Sequence, residues 1–424
     1  MAVLKPFRAV RPKAEYAAKT AALPYDVMDS EEARRMAEGN PFSFLHVDRA
    51  EIDLDPSVGI YDPVVYETAA RNLRSLLDKG INIREEKPVY YIYRQIMNGR
   101  AQAGIVGCAS IDDYEKNIIK KHEFTRRDKE EDRVRHVDAC NANTGPIFLT
   151  FRDDGSVTEF TGRWMGTHES LMSFQSEDGI RHTVWLIDDP DVIEALEKHM
   201  SSVPAFYIAD GHHRCASAYR VGKMRREEHP DYDGSEEFNF FLAVLFPSNE
   251  LRILDYNRVV RDLNGLTKEE FLTKAEEKFW VKALPACPKG ASEEELASFR
   301  PGKKHDFCCC LEGQWYLLTA KPGSYDEKDP VARLDVSILQ DNLLAPVLGI
   351  GDPRTDDRIL FVGGIRGLKE LVRLTENGAA AAFAMYPTTL DDLMSIADAG
   401  AVMPPKSTWF EPKLRSGLFI HELS

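Results

Sequence analysis

No stretch of the sequence approaches the roughly 18 consecutive apolar residues that a membrane-spanning helix needs. The opening MAVLKPFRAVRPKAEY also lacks the apolar core of a signal peptide, so the expected location is the cytoplasm, with no membrane partner. Cysteine is scarce: seven in 424 residues, three of them consecutive at Cys308, Cys309 and Cys310, with no C-x-x-C pair. That counts against a disulfide framework and a cysteine-based structural zinc site, and the triplet sits in an apolar strand pattern where inert thiols are expected. Several signatures are missing as well. There is no G-x-x-x-x-G-K-[ST], the glycines of FVGGIRG do not meet G-x-G-x-x-G, and neither G-x-S-x-G nor H-E-x-x-H occurs. A P-loop kinase and an ordinary Rossmann enzyme are therefore disfavoured. Positive charge is in deficit too: 54 Lys and Arg against 69 Asp and Glu give a net charge of -15. Such a chain repels a phosphate backbone at long range, so no nucleic-acid partner is expected and any phosphate ligand must be met locally.

What is present is a chain with 43% hydrophobic residues, long enough for two or three domains with real cores. Helical and strand-like patterns alternate throughout, which predicts an α+β protein with mixed sheets and additional α/β segments. Four regions suggest themselves: 1–110, 111–250, 251–330 and 331–424. The first holds a helix begun by Asp29 and Glu32 and ended near Gly39, a second over VYETAARNLRSLLDKG, and paired strands PVYYIYRQ and AQAGIVGCA. In the next, IFLTF and VTEF around DDGS predict a hairpin, Asp189 and Pro190 start a helix, and AFYIA runs through DGHH into RCASAYRVGKMRREE. Further on, Thr267 with Glu270 and Ser292 with Glu295 read as capping boxes, and DFCCCL with WYLLTA as a hairpin.

Three segments can carry chemistry. In Asp210-Gly211-His212-His213-Arg214, between a strand and a helix, the helix start offers free N–H groups and partial positive charge to an anion. Gly211 permits close approach, Arg214 adds a donor fork, the imidazoles add donors or a proton relay, and Asp210 is left to orient a hydroxyl, a metal or a histidine. The plain alternative is an Asp helix cap with a buried His pair. Because no Cys or His partner stands at ligand spacing, no dedicated metal site is expected; Mg2+ arriving with ATP or ADP, held through Asp210, fits better.

In the second segment, Lys120 to Thr125 with Lys129, Asp132 and Arg133, the Glu123 carboxylate stands among cations. Lys121, His122, Thr125 and Arg133 could hold phosphates, with Glu123 as general base, or the run could be a solvated helix face. The third, MPPKSTWFEPKLRSG, gathers Lys406, Ser407, Thr408, Lys413 and Arg415 on rigid prolines. It could wrap an anion, or be a tail stapled by Trp409 and Phe410. Pro24-Tyr25-Asp26-Val27, Asn141 to Gly145, and Asn257-Arg258 are weaker signals, each equally well a turn or a capped strand.

Together PYDV, HEFT, ADGHHR, YNRVV and MPPKSTWFEPKLRSG resemble, over nearly the whole chain, a bacterial and archaeal family known as domain of unknown function one thousand and fifteen. ADGHHR also resembles the phosphate loop of the ParB/sulfiredoxin superfamily, which implies a nucleotide-binding core of that type. His212 stands where sulfiredoxin has its catalytic cysteine, and no basic helix-turn-helix accompanies the loop as it does in ParB partition proteins. The resemblance to free serine kinases implies Glu123 as base, Asp210 as its catalytic partner with His212 beside them, and His212, His213 and Arg214 on the phosphates. The implied activity is phosphoryl transfer between ATP or ADP and a small hydroxyl compound such as serine. A nucleotide-sensing regulator without turnover and a phosphoserine-type phosphatase are the rivals.

Overall fold

A computed structural model describes residues 1–424. The chain divides into two compact units, Met1–Leu251 with Pro412–Ser424, and Arg252–Glu411. Both are α+β, and no helix is long and apolar enough to cross a membrane.

The first unit is built on a nine-stranded mixed sheet. Its order runs Ile119–Lys120, Phe206–Asp210, Ile147–Phe151, Phe240–Pro247, Arg100–Ser110, Tyr90–Met97, Arg181–Ile187, Met172–Gln175, with Leu4–Lys5 beside Arg100–Ser110. Pairing is parallel at Phe206–Asp210 with Ile119–Lys120 and at Phe240–Pro247 with Ile147–Phe151, and antiparallel elsewhere. The central strands are buried on both faces and read as continuous apolar runs such as FFLAVLF rather than as alternation. Tyr90–Met97 and Arg100–Ser110 pair as expected, and Asn98 and Gly99, both at positive φ, make the two-residue turn between them.

One expectation fails here. VTEF is not a strand; Ser156–Thr167 is a helix whose entry Asp153 caps by accepting from Val157 and Thr158 N–H groups. The buried residues Val157, Thr161 and Trp164 recur at helical spacing, and this period outweighs the turn chemistry of DDGS.

The His212–Glu228 helix crosses the sheet next to the Arg127–Cys140 helix. Gly222 lets the helix lie against the segments at Ile111 and Phe238: a Cβ there would lie 2.5 Å from the Phe238 carbonyl oxygen and 2.6 Å from Ile111 Cδ1. Gly222→Ala is expected to cost about 1–3 kcal/mol despite the better helix propensity of alanine, read as a lower urea midpoint. A rise in stability would mean that the helix has room to move away from Ile111 and Phe238.

The second unit carries a six-stranded antiparallel sheet: Phe279–Ala283, Gln314–Ala320, Asp306–Leu311, Ala381–Met385, Tyr256–Val260, Ile359–Gly363. Both anticipated capping boxes form, at Thr267 with Glu270 and at Ser292 with Glu295. The three consecutive cysteines lie buried in a strand, where loss of solvation pushes the Cys308 thiol up to about 12. The glycines of FVGGIRG serve packing, since a Cβ at Gly363 would stand 2.8 Å from the Trp409 ring.

Candidate functional site

The strand Phe206–Asp210 has buried Phe206, Tyr207, Ile208 and Ala209, so its end is fixed by the sheet. At Gly211 the backbone takes φ +90°, a conformation glycine adopts without steric cost, and the chain turns directly into the 17-residue helix His212–Glu228. No side chain caps this helix, which leaves the first-turn amides aimed out of its end. Asp210 is not the cap. One of its oxygens accepts the Gly211 N–H at 2.8 Å and the other the Lys413 ammonium at 2.7 Å. Burial pushes the Asp210 carboxyl up, but Lys413, the Gly211 amide and the neighbouring His212 outweigh it and hold the group below the usual range.

His212 is 5% exposed and His122 is 2% exposed; their rings meet edge to face with centroids 4.5 Å apart. Neither nitrogen of His122 has a hydrogen-bond partner, nor does Nε2 of His212. Glu123 Oε2 lies 3.8 Å from His212 Nδ1, on a side chain that is 57% exposed. His122, Glu123 and His212 each offer a ligand atom within 4.8 Å of the other two. No Cys or His stands near His212 at ligand spacing in the sequence; the sheet brings His122, 90 residues away in the chain, against it. The trio Asp153, Asp154 and His199 meets the same distance criterion. There the side chains are already engaged, Asp153 and Asp154 with backbone amides and His199 with Ser156 Oγ.

Other expected phosphate contacts have different partners. Arg214 donates to Asp48 Oδ2 at 3.0 Å and to Ser416 Oγ at 3.1 Å. Arg133 is clamped on Asp132 at 2.8 Å and covers the Tyr25 ring at 4.0 Å. Arg415 is buried against Asp178, Ser176 and His182. These three guanidinium groups neutralise carboxylates inside the unit. The charge run over 127–140 is likewise not simply a solvated face, because Asp132, Arg133 and His136 are buried in it. Lys121 lies over the Tyr114 ring at 3.9 Å, Thr125 donates to Glu130 at 2.7 Å, and His213 Nε2 accepts the Arg126 N–H at 3.0 Å.

Lys406, Ser407 and Thr408 belong to the second unit. Within it Ser407 Oγ donates to the Pro404 carbonyl at 2.6 Å and the Lys406 carbonyl accepts from Arg258 at 3.0 Å. That unit has its own cavity of about 310 Å³, lined by Lys304, His305, Asp335 and Asp392 among others and by none of the residues above. Volume alone carries no chemistry, and in it Lys304 is already paired with Asp392 at 2.7 Å. Sequence reading also missed Asp48, Asp178 and His182. A charged residue inside the apolar FSFLHVDRA was the available sign for Asp48.

Burial holds several imidazoles neutral. It lowers His122 to about 4; burial and then Arg133 lower His136 to about 4; burial and then Arg415 lower His182 to about 3. An unfolded histidine titrates near 6.5, so below that pH the unfolded chain binds protons the folded chain refuses. The stability these groups leave intact above pH ~6.5 is lost as pH falls toward 4. His46, raised by Asp53, opposes the trend as a single group. Each buried imidazole is expected to cost about 2 kcal/mol between pH 7 and pH 5, visible as a falling urea midpoint. A flat profile would contradict the burial of these rings.

The family described as "Protein of unknown function (DUF1015)" matches residues 4–337. No curated protein matches the sequence. Among solved structures, a free serine kinase in complex with AMP is 15% identical over 74% of this chain and 91% of its own, with a TM-score of 0.34. A conserved hypothetical protein from Pyrococcus furiosus is 13% identical over 74% and 94%, at 0.33. SbnI with C-terminal truncation from Staphylococcus aureus is 10% identical over 72% and 82%, at 0.37. Superpositions this loose carry no argument about activity, which rests on the site itself.

Proposed function

The chain belongs to the DUF1015 family, and from that premise we propose that it is a phosphotransferase acting between ATP or ADP and a small hydroxyl compound, with free L-serine the first acceptor to test. One observation carries the reading: an accessible carboxylate, Glu123, stands beside His212 at the uncapped start of a 17-residue helix. A helix start without a cap binds oxyanions through its amides, and a carboxylate within reach of that point can take a proton. In this reading the strand, the Gly211 turn and the helix form a ParB/sulfiredoxin-like nucleotide core. The terminal phosphoryl group sits against the first-turn amides with the Lys413 ammonium nearby. The acceptor oxygen forms a bond to phosphorus while the bond to the nucleotide's bridging oxygen breaks, and the acceptor's proton passes to Glu123. Catalysis comes from positioning and charge.

Asp210 does not fit Mg2+, since an amide and an ammonium engage its two oxygens. It acts as a positioning residue, fixing the turn and Lys413.

Phosphorus NMR of the full chain with ATP or ADP and L-serine tests the proposal: phosphoserine appears together with ADP or AMP. Nucleotide binding without product would instead indicate a sensor, and phosphate released from phosphoserine in the absence of nucleotide would indicate a hydrolase. Either result overturns the transferase reading.

A further inference from the structure

We propose that His122, His212 and Glu123 form a binding site for a divalent transition-metal ion of the Zn2+ or Co2+ type. The starting point is a deficit of partners. His122 is almost completely buried with both ring nitrogens unpaired, and His212 is buried with Nε2 unpaired. Buried polar atoms are nearly always hydrogen-bonded, and each one left alone costs about 1–3 kcal/mol. Two touching rings that each keep an unpaired nitrogen call for a shared ligand. The rings cannot supply it themselves, because they meet at 87° with centroids 4.5 Å apart, an edge-to-face contact with no hydrogen bond between them. An ion within reach of one nitrogen from each ring would use one electron pair per ring, and the remaining nitrogen of each ring is its N–H.

The third donor completes the argument. A ligand atom of Glu123 joins one from each imidazole within 4.8 Å, which places a negative charge at the exposed edge of an otherwise neutral pair. The strand that ends in Ile119–Lys120 pairs with Phe206–Asp210, so the two ligand-bearing segments leave adjacent strands of one sheet and are held in register by it. Ligands fixed by a sheet need little reorganisation on binding.

The donor set selects the class of ion. Two imidazoles and one carboxylate suit Zn2+, Co2+, Ni2+ or Fe2+, whereas Mg2+ and Ca2+ prefer oxygen ligands throughout. Asp210 is committed to Lys413 and the Gly211 amide and does not add oxygen character. Three protein ligands leave a coordination position open, as in metal sites that bind a substrate or water. The site does not depend on phosphoryl transfer, and metal binding is measured without nucleotide, so either reading can fail while the other stands.

The test is titration of the full-length, chelator-treated chain with Co2+, followed by its visible ligand-field absorption. The expected result is saturation at one equivalent, displacement by Zn2+, and no displacement by a large excess of Mg2+. Glu123 is exposed, so Glu123→Gln should remain folded and bind Co2+ at least tenfold more weakly. His122→Ala should abolish the band. Because that change also empties a buried position, imidazole nitrogen NMR of the unaltered chain gives a second readout, with Zn2+ shifting the His122 and His212 resonances and leaving that of His305 in place. Absence of a band in the unaltered chain, equal affinity in Glu123→Gln, or displacement by Mg2+ would overturn the proposal.

Discussion

Replacing Glu123 with glutamine is expected to slow phosphoryl transfer about 10²–10⁴-fold while nucleotide affinity and folding stay unchanged. The size is that of a general base removed from a reaction whose remaining catalysis is positional. Glutamine keeps the shape and one oxygen but cannot take a proton, and the side chain is more than half exposed, so little packing changes. The decrease should therefore appear in kcat, with the KM for nucleotide preserved, because the first-turn amides of the His212–Glu228 helix remain in place. Equal loss in kcat and nucleotide affinity would make Glu123 a structural neighbour of the ligand instead. An undiminished rate would remove it from the mechanism.

Arg214→Met is expected to destabilise the protein by about 3–5 kcal/mol, an effect on folding rather than on ligand binding. Asp48 has no side-chain exposure and accepts from Arg214 at 3.0 Å and from Thr144 at 2.7 Å. Burial pushes its carboxyl up, yet Arg214, His136 and Arg133 together bring it down to about 2, so the group is ionised in the fold. Removing the guanidinium strands a buried charge, whereas removing both members does not. Asp48→Asn with Arg214→Met should accordingly recover much of the loss, and denaturation of the two singles and the double gives the coupling directly. The sign with pH follows: the Asp48 contribution is present above about pH 4 and disappears as pH falls through about 2. If Arg214→Met left the denaturation midpoint in place and weakened nucleotide binding, the phosphate role read from the sequence would be restored.

The contrast between these two residues shows what was legible. Asp210, Gly211 and His212 were marked by residue type and by a strand-turn-helix pattern, both local, and the fold forms that strand, turn and helix, whereas Glu123 was marked by its charged surroundings and by the family resemblance. Arg214, Arg133 and Arg415 carry the same signal of donors near an expected anion. The partners of Arg214 and Arg415, Asp48 and Asp178, lie far away in the chain and are set by tertiary packing, while Arg133 pairs with its sequence neighbour Asp132. A guanidinium fits a carboxylate as well as a phosphate, so sequence chemistry alone does not separate the cases. The pairing of His122 with His212 was hidden for the same reason. Elements with a clean period or cap were readable, as at Thr267 and Ser292. The helix Ser156–Thr167 was not, because DDGS serves equally as a hairpin turn and as a helix entry, and only the burial of Trp164 decides between them.

The most direct measurement is a crystal structure of the full chain with ADP. The account places the nucleotide's terminal phosphate against the backbone amides of His212 and His213, with the Glu123 carboxylate facing the phosphorus from the open side. A phosphate bound elsewhere, with the Gly211 turn and the Glu123 side chain untouched, would contradict it.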